Sequence, residues 1–278
     1  ADAREGIEEL QSALQARGWH TEWSNEVPDA KRLWQTELTR LAQLESLESG
    51  ALNQTRVLME LNELLREDNI VAASGSLPSD LERVWTARRP GAYHLEYGFS
   101  CMGYEISGAL GVKLADPDRE VYSFVGDGGF LMGHSDLLTS IQEGHKINVL
   151  LFNNSGHQCI HNLERSQGMG TFGTEFRFRE QSTGGLTGGY VPVNYSALAS
   201  AYGAKTWRVT TLAELHAAVE ASKQAEVSTL IEIMVLPGTM TEGYENFWRV
   251  GTAAVSEKES VRKAYKKLND VVKNLRKY

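Results

Sequence analysis

Cysteine is nearly absent: Cys101 and Cys159 are the two in 278 residues. That excludes a disulfide framework and a multi-thiolate metal site, and reads as two reduced thiols in a cytoplasmic protein. No apolar run approaches the roughly 18 residues a membrane span needs. Basic charge is in deficit, with 28 Lys and Arg against 36 Asp and Glu and a net charge of −8, which argues against a general nucleic-acid binder. The first ten residues, "ADAREGIEEL", are too polar for a secretory leader. With no initiator Met, they read as the start of a processed chain or a fragment. No G-x-G-x-x-G follows the first expected strand, which counts against a dinucleotide fold. Repeats and low-complexity tracts are also missing. The one basic tract is the C-terminus, where residues 258–278 carry eight Lys or Arg and two acidic residues. It reads as a solvated helix with its basic end complementing the dipole, or as a docking tail.

What is present has two textures. Residues 1–54 read as a helical lead: Ile7, Leu10 and Leu14 recur at helical spacing until Gly18, and "LWQTELTRLAQLESL" repeats the pattern. "NQTRVLMELNELL" predicts a third helix with Val57, Leu61, Leu64 and Leu65 on one face. From Asn69 short apolar runs alternate with helical segments. "NIVAAS", "EVYSFV", "KINVLLFN", "KTWRVT" and "STLIEIMVL" predict strands; "LPSDLERVW", "GYEISGALGVKLAD", "HSDLLTSIQEG", "NYSALASAYGA" and "TLAELHAAVEASKQA" predict helices. Continuous rather than alternating apolar strands, each followed by a helix, predict an α/β fold: a doubly wound parallel sheet with helices on both faces. The expected organisation is the lead at 1–54, the α/β domain at 55–240 and an extension with a basic helix at 241–278. Residues 154–192 are too long and Gly-rich for a passive connection and read as a segment covering a site, helical near its start.

Ligands of open parallel sheets bind beyond the C-terminal strand ends. Two such ends carry unusual polar groups: "VYSFV" runs into Gly126-Asp127-Gly128-Gly129, and "INVLLF" into Asn153-Asn154-Ser155-Gly156. Asp127 by itself reads as the corner of a turn. Taken with the second end, it offers a carboxylate beside the Asn154 amide oxygen and the Gly156 carbonyl. Those are hard ligands suited to Mg²⁺ or Ca²⁺, with a shell that phosphate oxygens and water would complete. Gly128 and Gly129 let backbone N–H groups approach a phosphate. The pair therefore predicts a metal-bridged diphosphate.

Gly126-Asp127-Gly128 followed, one helix and one strand later, by Asn153-Asn154 resembles the cofactor motif of thiamine diphosphate (ThDP)-dependent enzymes. The resemblance implies ThDP and Mg²⁺ as cofactors. It makes Asp127, Asn154 and Gly156 the metal ligands, with the backbones around Gly126, Gly128 and Gly129 on the diphosphate. "EYGFSCMGYEISGALGVKLADP" is similar to a segment of acetolactate-synthase-like members. By that likeness Met102 wedges the bent cofactor, and the Ser100 carbonyl accepts from the aminopyrimidine. Ser74, Gly75 and Ser76 are expected to touch the diphosphate or to cap the next helix. The same segment, with "GSLPSDLERVW" and "FWRVGTAAVSE", resembles trihydroxycyclohexane-1,2-dione hydrolases of inositol catabolism over residues 55–260. The likeness departs at "NNSGHQCIHNLERSQGMGTFG", which borders the reacting end.

Two histidines, His157 and His161, flank Cys159 at i, i+4, a spacing that could bind zinc on a helix but lacks a third ligand. At the substrate end, His157, Gln158 and His161 would be proton carriers or hydrogen bonders, or else an ordinary surface helix. His94 and Glu96 are further pocket candidates; His134 is expected to cap or face solvent.

The resemblance also implies a carboxylate against N1′ of the aminopyrimidine, from a separate pyrimidine-binding domain. No such domain precedes Asn69, and Glu60 and Glu63 sit on an amphipathic helix without a partner motif. The expectation is half of an active site, completed by a second polypeptide that carries the Glu, either a separate subunit or the other piece of a cleaved chain, in a heteromer such as a dimer of heterodimers. The substrate would be a small carbonyl compound, with no nucleic acid or membrane partner. Hydrolytic cleavage of a cyclic 1,2-dione, decarboxylation with acyloin formation, and a non-catalytic α/β binding or regulatory module all remain open.

Overall fold

The computed structural model describes residues 2–20, 26–43, 51–239, 241 and 251–273. The chain divides into two compact units, residues 1–43 and 44–278.

The first unit holds two helices, α1 (Ala3–Ala16) and α2 (Glu26–Ala42). Asp2 caps α1 by accepting from the Arg4 and Glu5 amides, as an acidic N-cap should. Past the cap residue Arg17, Gly18 adopts φ 63°, the left-handed conformation that ends helices.

In the second unit α3 (Gln54–Leu64) leads into β1 (Asn69–Ala72), α4 (Ser76–Val84), β2 (Tyr93–Leu95), α5 (Tyr104–Ala115) and β3 (Val121–Gly126). Then follow α6 (Asp127–Gly133), α7 (Ser135–Gln142), β4 (Asn148–Asn153), α8 (Gln158–Ser166), α9 (Tyr195–Ala201), β5 (Lys205–Val209), α10 (Leu212–Lys223), β6 (Thr229–Met234) and α11 (Glu259–Lys273). The six strands form one sheet in the order β2-β1-β3-β4-β6-β5, every neighbouring pair parallel. This is the doubly wound α/β architecture. Part of "FWRVGTAAVSE" lies outside the described residues.

The central strands β1, β3, β4 and β6 are buried almost throughout because both faces are covered. Tyr122 and Phe124 point to one side, where Tyr122 hydrogen-bonds Ser222 of α10 and Phe124 meets the Trp85 and Phe152 rings. Val121, Val125, Val149 and Leu151 point to the other, against Ile106 of α5, Leu137 of α7 and Tyr195 of α9. Each such fully buried side chain contributes about 1.5–3 kcal/mol of transfer free energy.

Two elements differ from the sequence reading. Strand β2 adds an edge to the sheet where no strand was expected. Its residues are only half buried, so they lack the apolar run that marks the four central strands. And β3 passes straight into α6: Gly126 is its N-cap at φ −75° and Asp127 its first residue, so Asp127 is not the corner of a turn.

The topology places the site. From β1 the chain crosses to β2 on one side, then returns through α5 to β3 on the other. The loops after β1 and β3 therefore diverge and leave a crevice at their C-terminal ends.

Candidate cofactor site

A cavity of about 280 Å³ fills that crevice. The loop after β1 supplies Ser74, Gly75 and Ser76, and the start of α6 supplies Gly126, Gly128 and Gly129. Asn154, Gly156, His157 and Gln158 come from the loop after β4, and Ser100 and Met102 from the entry to α5. Thus the residues singled out as cofactor contacts, more than 80 positions apart at their extremes, meet around one space.

Asp127 sits between the lining residues Gly126 and Gly128 and is fully buried. Its Oδ1 accepts from Gly128 N at 2.8 Å and its Oδ2 from Gly156 N at 3.1 Å. Burial pushes its pKa from 3.8 up to about 7, against the lowering effect of these backbone donors. One terminal atom of the Asn154 amide lies 2.9 Å from the Gly156 carbonyl oxygen and 3.3 Å from Asp127 Oδ1. A nitrogen there donates to both. An oxygen there makes three oxygens that converge without a proton between them, an arrangement that a hard cation stabilises. Among the described residues no group of three or more His, Cys, Asp or Glu side chains is placed to hold a metal ion. Asp127, Asn154 and Gly156 offer one carboxylate and neutral oxygens, a chemistry that suits Mg²⁺ better than zinc.

The glycines serve by close approach. A Cβ on Gly128 would sit 2.4 Å from the His157 ring, so the imidazole occupies the space a side chain would take. That ring also packs edge-on against Phe176, with centroids 5.4 Å apart. Gln158 is 3% exposed; its Nε2 donates to the Asn154 carbonyl at 3.1 Å while its Oε1 has no partner. His161 is buried as well, but its Nδ1 faces Thr174 Oγ1 at 3.5 Å, and it is not among the cavity-lining residues. His94 lines a separate groove with Asn69, Tyr104 and Asp116. Glu96 accepts from Phe99 N and Cys101 N, and these bonds hold its carboxyl below the usual range. It thereby shapes the loop in which Ser100 takes φ 53°. Nor does the His134 side chain cap α7; it stacks on Tyr202 and hydrogen-bonds its hydroxyl at 2.7 Å.

Two carboxylates that sequence reasoning missed organise the loops. Glu105 of α5, fully buried, accepts from Ser74 N, Ser74 Oγ and Gly103 N, tying the loop after β1 to the Met102 turn. No helix cap forms from Ser74 or Ser76, since Gly75 is the N-cap of α4 without a side-chain bond. Glu232 of β6 accepts from Asn153 Nδ2 at 2.8 Å and from Ser196, fixing the residue next to Asn154. The one signal for either was a charged residue within a largely apolar segment.

Comparison with known proteins settles the family. The model of "Thiamine pyrophosphate enzyme, C-terminal TPP binding domain" matches residues 73–233, more than half of the chain. The chain belongs to this thiamine pyrophosphate enzyme family. Its fold agrees: a "thiamine diphosphate-dependent 4-hydroxybenzoylformate decarboxylase" from Rhodococcus jostii RHA1 superposes with TM-score 0.58 and 21% identity, over 69% of this chain and 34% of that one. Benzoylformate decarboxylase from Polynucleobacter necessarius gives 0.57 and 19%, over 71% and 35%. Higher identity is found with proteins named 3D-(3,5/4)-trihydroxycyclohexane-1,2-dione hydrolase. The Clostridium tetani protein is 47% identical over 302 residues, covering 100% of this chain and 47% of its own length. That of Geobacillus thermodenitrificans is 48% identical over 300 residues, again 100% and 47%. A Bacillus cereus protein is 49% identical over 288, covering 95% and 45%.

This thiamine pyrophosphate enzyme chain thus spans about half the length of the curated relatives it matches. That corrects the expectation of a second polypeptide: the relatives carry the matched stretch inside a single chain about twice as long. Among the described residues no helix is long and apolar enough to cross a membrane.

Proposed function

We propose that residues 55–240 are the diphosphate-binding domain of a ThDP- and Mg²⁺-dependent hydrolase that opens a cyclic 1,2-dione. The observation that carries the metal reading is the approach of one Asn154 amide atom to both Asp127 Oδ1 and the Gly156 carbonyl, beside the cavity that Asn154 and Gly156 line. These three would hold Mg²⁺, which would supply positive charge to offset that of the diphosphate. The Gly126, Gly128 and Gly129 backbone, with Ser74, Gly75 and Ser76 opposite, would take the phosphate oxygens. Met102 and the Ser100 carbonyl would support the bend and the aminopyrimidine. Bound ThDP supplies a thiazolium carbon nucleophile and an electron sink for the carbanion that C–C cleavage leaves.

The chain's own residues would orient and hydrate. His157, whose ring packs edge-on against Phe176 in the space beside Gly128, would be the proton carrier or hydrogen bonder at the substrate end. Gln158 Oε1, buried without a partner, is free to accept from a bound group. The carboxylate that activates the cofactor is assigned to the length of the relatives that this chain does not span. Hydrolysis is preferred over decarboxylation because the relatives at 47–49% identity bear the dione hydrolase name. Product analysis on the full-length protein tests this. Ring-opened acid from a trihydroxycyclohexane-1,2-dione, and no acyloin from pyruvate plus an aldehyde, is the expected outcome; the reverse pattern contradicts the assignment.

A further inference from the structure

The Gly-rich segment after α8 is not a loose cover. Residues 174–178 and 188–191 run antiparallel: Phe178 N donates to Gly189 O, Gly188 N to Phe178 O, and Val191 N to Phe176 O at 2.8 Å. The inner side of this hairpin pairs in turn with the cofactor loop. His157 N donates to Thr174 O at 2.7 Å, and Phe176 N to Ser155 O at 2.9 Å. Between those bonds lies Gly156, so close that a Cβ would meet Thr174 O at 2.5 Å. Ser155 itself holds φ 61°, a left-handed conformation that a non-glycine residue keeps only when its surroundings impose it.

One side chain gathers the hairpin. Glu175 is 7% exposed. Its Oε1 accepts from Tyr190 OH at 2.6 Å and Arg177 Nη2 at 3.3 Å. Its Oε2 accepts from Arg177 Nε at 3.0 Å and Thr171 Oγ1 at 3.3 Å. The Arg177 guanidinium lies 3.9 Å from the Tyr190 ring centre and reaches Gly188 O at 3.0 Å. Burial raises the Glu175 carboxyl, but hydrogen bonds from Arg177 and Tyr190 outweigh it and hold the pKa at about 2. The latch is therefore charged across the pH range of ordinary assays.

We propose that Glu175 is a positioning residue: by clasping Arg177 and Tyr190 it presses the hairpin onto residues 155–157 and so keeps the Gly156 N–H on Asp127 and the Gly156 carbonyl against the Asn154 amide. It touches neither cofactor nor substrate. The inference rests on the metal reading above, because Gly156 O is one of the assigned ligands. Opening the latch frees Ser155 to leave its left-handed conformation, and the peptide carrying Gly156 O then rotates among other orientations. Affinity for Mg²⁺ and ThDP falls while the sheet, which the hairpin does not join, stays folded.

Glu175→Gln and Tyr190→Phe, made in the full-length protein, test it. Both keep volume; if Glu175→Gln fails to fold, Tyr190→Phe carries the test. Two readouts are needed: amide hydrogen exchange of residues 154–157 without ligand, and ThDP affinity by calorimetry at saturating Mg²⁺. Expected are faster exchange confined to the loop and hairpin, and about tenfold weaker ThDP binding in Glu175→Gln, the loss of one charge-assisted hydrogen bond. Tyr190→Phe should lose about threefold, as for a single weaker bond. Native exchange and native affinity in both variants, with Asp127→Ala still abolishing binding, overturns the proposal. Normal ThDP binding by Asp127→Ala overturns the metal reading and this one together.

Discussion

Asp127 should make the metal-free protein less stable as pH rises. Its carboxyl titrates near 3.8 in an unfolded chain and at about 7 in the fold, raised by burial. Between those values the folded state binds more protons than the unfolded state, so the free energy of unfolding falls with rising pH. The stabilising contribution is complete below about pH 4 and lost above about pH 7, at about 1.4 kcal/mol per pH unit or about 4 kcal/mol in all. Mg²⁺ binding runs the other way. It needs the carboxylate, so apparent affinity should fall about tenfold for each pH unit below 7.

Urea unfolding with a chelator, from pH 4.5 to 8, measures the first effect, and Mg²⁺ titration over the same range measures the second. Asp68 bends the curve in the same sense, since burial raises its pKa more than Lys223 lowers it. The difference between wild type and Asp127→Ala therefore isolates Asp127. The variant leaves the Gly128 and Gly156 amides without their acceptor, which is a pH-independent offset. A wild-type-minus-variant difference that is flat across this range would refute the burial argument.

Two other substitutions probe the loops. Gly156→Ala places a Cβ 2.5 Å from Thr174 O and 2.8 Å from Glu175 Cα, both backbone, so the hairpin must move. Urea unfolding should show a loss of about 1–3 kcal/mol, and calorimetry should show weakened ThDP binding. Glu105→Gln halves the acceptor capacity facing Ser74 and Gly103 and should cost about 1–3 kcal/mol, read in the same unfolding assay. ThDP affinity should drop with it, because the Ser74–Ser76 and Met102 loops lose their common anchor.

Much of this was legible before any coordinates. Four of the six strands announced themselves as apolar runs because both sheet faces are covered; β5, a largely exposed edge strand, was legible only from its β-branched and aromatic residues. The sixth, β2, is short and half buried at an edge, so burial left no pattern in Tyr93–Leu95. Asp127, Asn154 and Gly156 stood out because strand ends in a parallel sheet converge, and the fold does bring these two polar strand ends together. Glu105, Glu232 and Glu175 were not found. Each acts through partners that the fold supplies: Ser74 across 31 positions, Asn153 across 79, Tyr190 across 15. The one local mark, a charge within a largely apolar segment at Glu105 and Glu232, does not reveal the partner. The His157–His161 pair illustrates the converse. Its i, i+4 spacing suggested a shared role, yet His157 lines the cavity while His161 turns under Thr174.

The central claim is that Asp127 anchors a metal-bridged diphosphate, and Asp127→Asn in the full-length protein tests it most directly. Asparagine keeps the shape of the side chain and removes the charge that Mg²⁺ needs. Calorimetric titration of ThDP in the presence of Mg²⁺ should show binding by wild type, loss of that binding when a chelator removes the metal, and none by the variant, whose circular dichroism remains native. Mg²⁺-dependent ThDP binding by Asp127→Asn at wild-type affinity would contradict the account.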